Sequence, residues 1–391
     1  MYLIDCCIEE EIKTLKFHGQ IDSTNAEEVN TLIAEKLVDC KNFIFDFSDV
    51  NYISSAGLRV ILKYGKTSKN FQVINVSSEV FEILDMTGFT QILNIKKAMR
   101  VISIEGKEMI GEGYLGRVYR LDNDTIIKVF YRNSSLEDIQ REISLAKKAF
   151  ILGIPTAIPF DVVRVKEGGY GSVFELLKSK CFNKLFIEHP ENEDKNVQLY
   201  IDLLKTIISL RVEDKKGIPN KKDDAKRWYS ILEENKTFDE PTLKQIKGIL
   251  ETIPEDNHII HGDFHIKNIM MQGDEPLLID MDTLGYGHEI FELSAFFLTY
   301  IGYPSTEVRN CEAFLGISDR VAQRLFYDSI NCIYSGRTQN ERETIIKKIS
   351  LYGYIWLAAK TYIFEPQNLK RLNHCRDEVV RLLKEVDTLN F

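Results

Sequence analysis

No Cys-x-x-Cys pair occurs in this chain of 391 residues, and its seven cysteines, at positions 6, 7, 40, 181, 311, 332 and 375, are scattered and odd in number. That usage excludes a zinc ribbon or a disulfide framework and predicts reduced, mostly packed thiols in a cytoplasmic protein. A basic excess is also missing. The formal charge of −9 leaves no electrostatic footprint for nucleic acid as the main partner. The start, Met1-Tyr2-Leu3-Ile4-Asp5, has no basic region followed by an apolar run, so a signal peptide is not expected. Long hydrophobic runs are absent as well: the greasiest patch, Ile290 to Tyr303, is interrupted by Glu292 and Ser294. It falls short of the roughly 20 residues that span a bilayer, so no membrane span is read.

What is present is ordinary globular composition, 44% hydrophobic and 28% charged, in a chain long enough for two or three domains. Residues 1–100 alternate short apolar runs with helical patterns. Glu11 to Phe17 alternates with period two, and Phe43 to Phe47 and Phe71 to Val76 read as buried strands. Asn25 to Leu37 and Ala56 to Tyr64 carry helical spacing, with Ser23, Thr24 and Ser55 as candidate N-caps. A small α/β domain follows. It offers no cluster of nucleophile, base or metal ligands, so its expected role is to bind a partner or to sense. No Pro-, Ser- or Gly-rich tether follows it; near Arg100 to Ile104 a new strand pattern simply begins.

Residues 101–178 open with Ile110-Gly111-Glu112-Gly113-Tyr114-Leu115-Gly116-Arg117-Val118. Strand-like residues flank these glycines on both sides, a hairpin whose backbone can approach phosphates closely; a dinucleotide-binding unit would have a helix next. The next strand, Thr125 to Phe130, carries one lysine in an apolar pattern, Lys128, placed to reach the α and β phosphates of a nucleotide. A helix from about Ser135 to Phe150 offers Glu142 to fix that lysine, with Glu137 as competitor. Ile143, Leu145 and Ala146 put Glu142 near the buried face. Gly153-Ile154-Pro155 ends the helix, and Gly171 to Leu177 reads as the last strand of a small lobe.

The most informative stretch is His261-Gly262-Asp263-Phe264-His265-Ile266-Lys267-Asn268, followed twelve residues later by Asp280-Met281-Asp282. An Asp and an Asn five positions apart on a tight loop can face one phosphate from two sides, the Asp263 carboxylate taking a hydroxyl proton and the Asn268 amide holding magnesium. Glu275 to Ile279 is a turn and a short apolar strand that would deliver Asp280 to the same point. Magnesium is hard and oxygen-seeking, and this donor set suits it. His261 and His265 stand at helical spacing for zinc, but Gly262 between them argues for a loop, with His261 bracing it. The rest of 179–391 is mostly helical, at Val197 to Val212, Ala225 to Asn235, Pro241 to Thr252, His288 to Tyr300, Ser318 to Tyr334 and Glu341 to Tyr362.

Taken together, these motifs resemble the catalytic and metal-binding loops of aminoglycoside phosphotransferase and choline kinase relatives, a branch of the protein-kinase-like fold. The resemblance implies a two-lobed α+β kinase-like fold with a small lobe at 101–178 and a mainly helical lobe at 179–391, using ATP and Mg2+. It implies catalytic Asp263, metal ligands Asn268 and Asp280, and nucleotide contacts from Gly111, Gly113, Gly116, Lys128 and Glu142, with backbone groups near Glu175 to Leu177 meeting the adenine. It also implies a structural anchor at Glu292. Ile44 to Leu58, with Gly19-Gln20-Ile21-Asp22 before and Met86-Thr87-Gly88-Phe89 after, resembles a STAS domain of the anti-sigma-factor antagonist type. In that family the serine matching Ser55 is the regulatory phosphoacceptor; the residue before it is commonly Asp, and here it is Ser54.

The expected function is transfer of a γ-phosphate to a hydroxyl of a small molecule, regulated or docked through the first domain. Two alternatives are a protein kinase acting on a STAS-type serine and a catalytically silent nucleotide-binding module. His265 stands where protein Ser/Thr kinases use lysine, and no Ala-Pro-Glu follows the Asp280 region, which favours a small acceptor. The full set of Lys128, Asp263, Asn268 and Asp280 argues against a silent domain.

Overall fold

The structure, a computed structural model of the chain, describes residues 3–9, 12–68, 70–113, 115–131, 133–307 and 310–391. The Met1-Tyr2 start, Glu11 and Tyr114, on which readings above fall, lie outside the described residues. The chain divides into two compact units, Met1–Ser103 and Ile104–Phe391.

In the first unit, strands β1 (Ile4–Glu9), β2 (Ile12–Ile21), β3 (Phe43–Ile53), β4 (Gln72–Val76) and β5 (Asn94–Lys97) form one sheet in chain order. The β1–β2 pair is antiparallel and the others are parallel, as helical crossovers require. The crossovers are α1 (Ala26–Lys36), α2 (Ser55–Gly65), and α3 (Ser78–Met86) with the single turn α4 (Phe89–Ile92). A short strand, β6 (Val101–Ile102), follows. Period-two alternation on β3 sends Phe43, Phe45 and Phe47 inward, where Phe45 meets Phe17 at 4.8 Å and Phe71 at 4.9 Å between ring centroids. Burial of rings this size contributes about 1.5–3 kcal/mol each, which makes this aromatic cluster the main glue of the unit.

Both readings of the helix starts need correction. At α1 the Asp22 carboxylate accepts from the Thr24 N–H (2.7 Å) and hydroxyl (2.6 Å), so Ser23 and Thr24 belong to a turn and the N-cap is Asn25. At α2 the cap is Ser54, whose hydroxyl accepts from Ala56 N (3.2 Å), while Ser55 is the first residue of the helix and exposed. The reason is local: Ser54 keeps the extended backbone that an N-cap needs.

In the second unit, β7 (Met109–Glu112) and β8 (Gly116–Arg120) form the glycine hairpin, and β9 (Thr125–Phe130) continues the antiparallel sheet. After α5 (Leu136–Ile151), β10 (Pro159–Val165) and β11 (Tyr170–Glu175) complete a run in which β10, β11, β9, β8 and β7 lie side by side. Ser135 caps α5, accepting from Asp138 N at 3.1 Å.

The remainder is helix-rich. After β12 (Lys180–Cys181) come α6 (Asn183–Glu188), α7 (Glu193–Ser209), α8 (Lys221–Glu234) and α9 (Glu240–Glu251). Short strands β13 (His258–Ile260), β14 (Ile269–Gln272), β15 (Glu275–Leu278) and β16 (Gly285–Gly287) carry the loops between them. β14 lies between β12 and β15, and β13 pairs with β16, the strand that holds Gly285 and Gly287. Helices α10 (Ile290–Phe297), α11 (Asn310–Leu315), α12 (Asp319–Ile333), α13 (Gln339–Phe364) and α14 (Leu369–Leu382) close the lobe. The helix expected over His288 to Tyr300 starts two residues later, and from Leu298 to Gly302 it widens into a π turn. Tyr200, Phe264, Phe296, Tyr300 and Phe326 form the core under the loops. Among the described residues no helix is long and apolar enough to cross a membrane.

Candidate active site

Lys128 leaves the middle of β9, and its Nζ stands 2.7 Å from Glu142 Oε1 on α5 and 3.5 Å from Asp280 Oδ1. Glu137, the competing partner, is exposed. Burial alone would lower the Lys128 pKa; the Asp280 and Glu142 carboxylates outweigh it and hold the ammonium above its ordinary value. Lys128 is therefore a fixed cation joining three parts of the unit.

The glycine hairpin is built unevenly. A Cβ at Gly116 would fall 2.1 Å from the Val129 carbonyl oxygen, so only glycine fits there. Gly113 faces open space, and a Cβ at Gly111 would meet only Val118 at 3.7 Å. Those two leave the backbone clear for a ligand, while Gly113 N–H closes the turn on Gly116 O at 2.9 Å. Glu112 accepts from Arg117 Nε (2.9 Å) and Tyr131 OH (2.8 Å), which pins the base of the loop.

Of the backbone groups expected beside an adenine, Glu175 N–H is spent on Ile158 O (2.9 Å) and Leu176 N–H on Asp124 O (2.7 Å). Among the described residues the Leu177 N–H is the amide of this segment without a protein acceptor. It stays available to a base edge.

The loop carrying Asp263 is held from behind. Glu292 on α10 is fully buried, and its Oε2 accepts from Gly262 N (3.0 Å) and His261 N. His261 Nδ1 accepts from Asp263 N at 3.2 Å, which leaves its Nε2 to donate to Ile279 O at 3.2 Å. Burial lowers the His261 pKa, consistent with this neutral bracing role. Gly262 takes φ +81°, and a Cβ there would press on Thr283 O at 3.2 Å. Tyr300 OH accepts from Ile266 N at 3.1 Å. Thus Asp263 projects from a loop braced on three sides, its side chain 46% exposed.

Asn268 Nδ2 donates to Asp263 O (3.0 Å) and Oδ2 (3.1 Å), so its amide oxygen is left for another ligand. Ile279 N donates to Asn268 O at 2.8 Å, placing Asp280 beside it. Asp280 adopts φ +67°, a left-handed conformation uncommon for a residue with a Cβ and concentrated at functional sites. Burial tends to raise the Asp263 carboxyl, but His265, His261 and Lys360 outweigh it and bring it down to about 2. Asp282 moves oppositely: burial and then the Asp280 charge push it up to about 7. Asp282 lies within the field of Lys128, Glu142, Asp280 and Asp263.

With this geometry in view, residues 5–100 match the STAS domain and residues 108–314 match the phosphotransferase enzyme family, APH. The chain belongs to the phosphotransferase enzyme family. This APH-family chain thus combines an α/β STAS region with a kinase-like fold. Among solved structures it is similar to the gentamicin complex of APH(2")-IIa, at 15% identity over 77% of this chain and 95% of that one, TM-score 0.45. A thermostable mutant of the aminoglycoside phosphotransferase APH(4)-Ia, in ternary complex with ADP and hygromycin B, is 10% identical over 72% and 94%, TM-score 0.49. An anti-sigma factor antagonist structure from Thermotoga maritima is 19% identical over 24% of this chain and 86% of that one, TM-score 0.23. No curated protein sequence matches the chain.

Two APH-lobe residues had no motif to announce them. Lys360, on α13, lies within the field of Asp263 and Asp282, and Lys221, at the start of α8, within that of Lys360 and Glu292.

Proposed function

We propose that the second unit transfers the γ-phosphoryl group of ATP to a hydroxyl of a small molecule, with magnesium as cofactor, and that the STAS unit docks or regulates it. One observation carries the reading: Lys128 meets Glu142 and Asp280 at 2.7 and 3.5 Å, beside the loop on which Asn268 is hydrogen-bonded to Asp263.

Lys128 and the open Gly111–Gly113 backbone would grip the phosphates, and the Leu177 amide would read the base edge. Asp263, ionised at any physiological pH, aims the attacking hydroxyl and takes its proton as the new O–P bond forms and the bond to the β-phosphate oxygen breaks. A carboxylate of such low basicity contributes more by orienting than by pulling, which suits a loose phosphoryl-transfer transition state.

The donors fit a divalent cation. Asn268 has an unspent amide oxygen, and beside Asp280 stands the Asp282 carboxyl, pushed up to about 7 by burial first and then by the Asp280 charge. Magnesium bound there would neutralise charge on the β and γ phosphates.

In the STAS unit, Ser54 supplies the cap, so the exposed Ser55 hydroxyl is left without a hydrogen-bond partner among the described residues. We assign it as the candidate phosphoacceptor. A helix N-terminus favours added negative charge. The seven cysteines are all free thiols, which fits the cytoplasm, where ATP is at hand.

The test is Asp263→Asn. It should bind an ATP analogue as the wild type does and lose about 10²–10⁴-fold in magnesium-dependent ATP turnover with a fractionated metabolite pool. Undiminished turnover would sink the assignment.

A further inference from the structure

Near Asp263 lies a cation that no carboxylate among the described residues contacts. Lys360 sits near the C-terminal end of the long, buried α13, its Nζ 4.6 Å from the ring centroid of Trp356. Trp356 in turn stacks on Trp228 of α8, centroids 6.0 Å apart and planes 23° off parallel. Among the described residues no carboxylate lies within 4.0 Å of the Lys360 ammonium, and it makes no hydrogen bond. Burial lowers its pKa, and the charges it feels most are Asp263 first, then Lys221 and Asp282. The neighbouring carboxylates have other work: Asp224 pairs with Lys221 at 3.0 Å, Asp263 is the proposed base, and Asp280 and Asp282 face the metal side.

The Lys360 side chain is half-buried, and a charge drawn partly out of water without a partner costs free energy unless a ligand supplies the counter-charge.

We propose that the acceptor carries an anionic group, a carboxylate or a phosphate, besides the hydroxyl that is phosphorylated, and that Lys360 receives that group above the Trp356–Trp228 stack. The proposal rests on the small-molecule kinase reading given above. It separates this chain from kinases of polycationic acceptors, because an amine at this position would face a like charge beside the half-buried Lys360. It also explains why the ammonium lies within the field of Asp263 without contacting it. An acceptor bridging the two would present its hydroxyl to Asp263 and its anion to Lys360.

Four triol-sized probes share one skeleton and differ in charge: glycerol, glycerate, glycerol 3-phosphate and 3-aminopropane-1,2-diol. Binding of each to the full chain, with magnesium and a non-hydrolysable ATP analogue present, is measured by ligand-observed NMR titration. At least one of the two anions should bind about tenfold or more tighter than glycerol, and the amine no tighter. Lys360→Met should bring the anions down to the level of glycerol, and Lys360→Arg, which keeps the charge, should retain most of the preference. The proposal is overturned if neither anion outperforms glycerol, including the case in which no probe binds, or if Lys360→Met leaves the preference intact. Analogue binding on the same samples keeps the two readings apart. If the analogue binds and the preference is missing, the anionic acceptor alone falls; if the analogue does not bind, the kinase reading falls with it.

Discussion

Glu292 is the residue through which the Asp263 loop is held, and its removal can be worked out in some detail. Its Oε2 takes the N–H groups of His261 and Gly262, and its Oε1 is buried without a partner among the described residues. Burial pushes the carboxyl up to about 7, against the pull of those two N–H groups. A carboxyl raised in the folded state stabilises the fold fully below its unfolded value, and that contribution is lost as pH rises through the folded value. Moving from the ordinary 4.5 to about 7 amounts to about 3 kcal/mol, at about 1.4 kcal/mol for each tenfold step.

Glu292→Gln keeps an oxygen for the two donors and removes the titration. Its melting temperature relative to wild type should therefore climb between pH 4.5 and pH 8, by about 6–12 °C for a domain in the size range where 1 kcal/mol is worth about 2–4 °C. Glu292→Ala should lose stability at every pH, because it leaves two buried N–H groups unpaired at about 1–3 kcal/mol each. The assay is a set of thermal melts of the three proteins across that pH range. Parallel curves for wild type and Glu292→Gln would refute the reasoning, since they would mean that the carboxyl titrates where an exposed glutamate does.

Gly116→Ala should destabilise by about 1–3 kcal/mol, since its Cβ would overlap the Val129 carbonyl, whereas Gly113→Ala should barely change the melt and should weaken nucleotide binding instead. Lys128→Met and Glu142→Gln should each weaken ATP binding, and the double variant should lose less than the sum by about 0.5–3 kcal/mol, measured by calorimetric titration. Ser54→Ala should cost the first unit about 1 kcal/mol in urea melts and Ser55→Ala within about 0.5 kcal/mol, because only Ser54 caps α2.

Much of the candidate site was legible as a set of neighbours because phosphate chemistry calls for short spacings. Asp263, Asn268 and Asp280 lie on consecutive loops, and Lys128 and Glu142 on consecutive elements, so one pass along the chain could collect them. The choice of Glu142 over Glu137 was equally readable, because the burial of Ile143 and Ala146 turns that side of α5 toward the sheet. Lys360 was not readable: it belongs to a helix far along the chain, and only the packing of α13 against α8 brings it within the field of Asp263. Asp282 was set apart only by the charges that surround it. In the fold, the helical patterns of the large lobe were clear, but α14 and β10 carried mixed sequences and went unread. The cap of α2 was misplaced by one residue, since two adjacent serines offer the same chemistry and the backbone decides between them.

The most direct test of the account is to incubate the purified chain with magnesium, γ-labelled ATP and a fractionated metabolite pool, and to ask where the label goes. Label in a small molecule, absent with Asp263→Asn, is the predicted result. Label found only on protein, with Ser55 checked first, or no transfer at all, would contradict it.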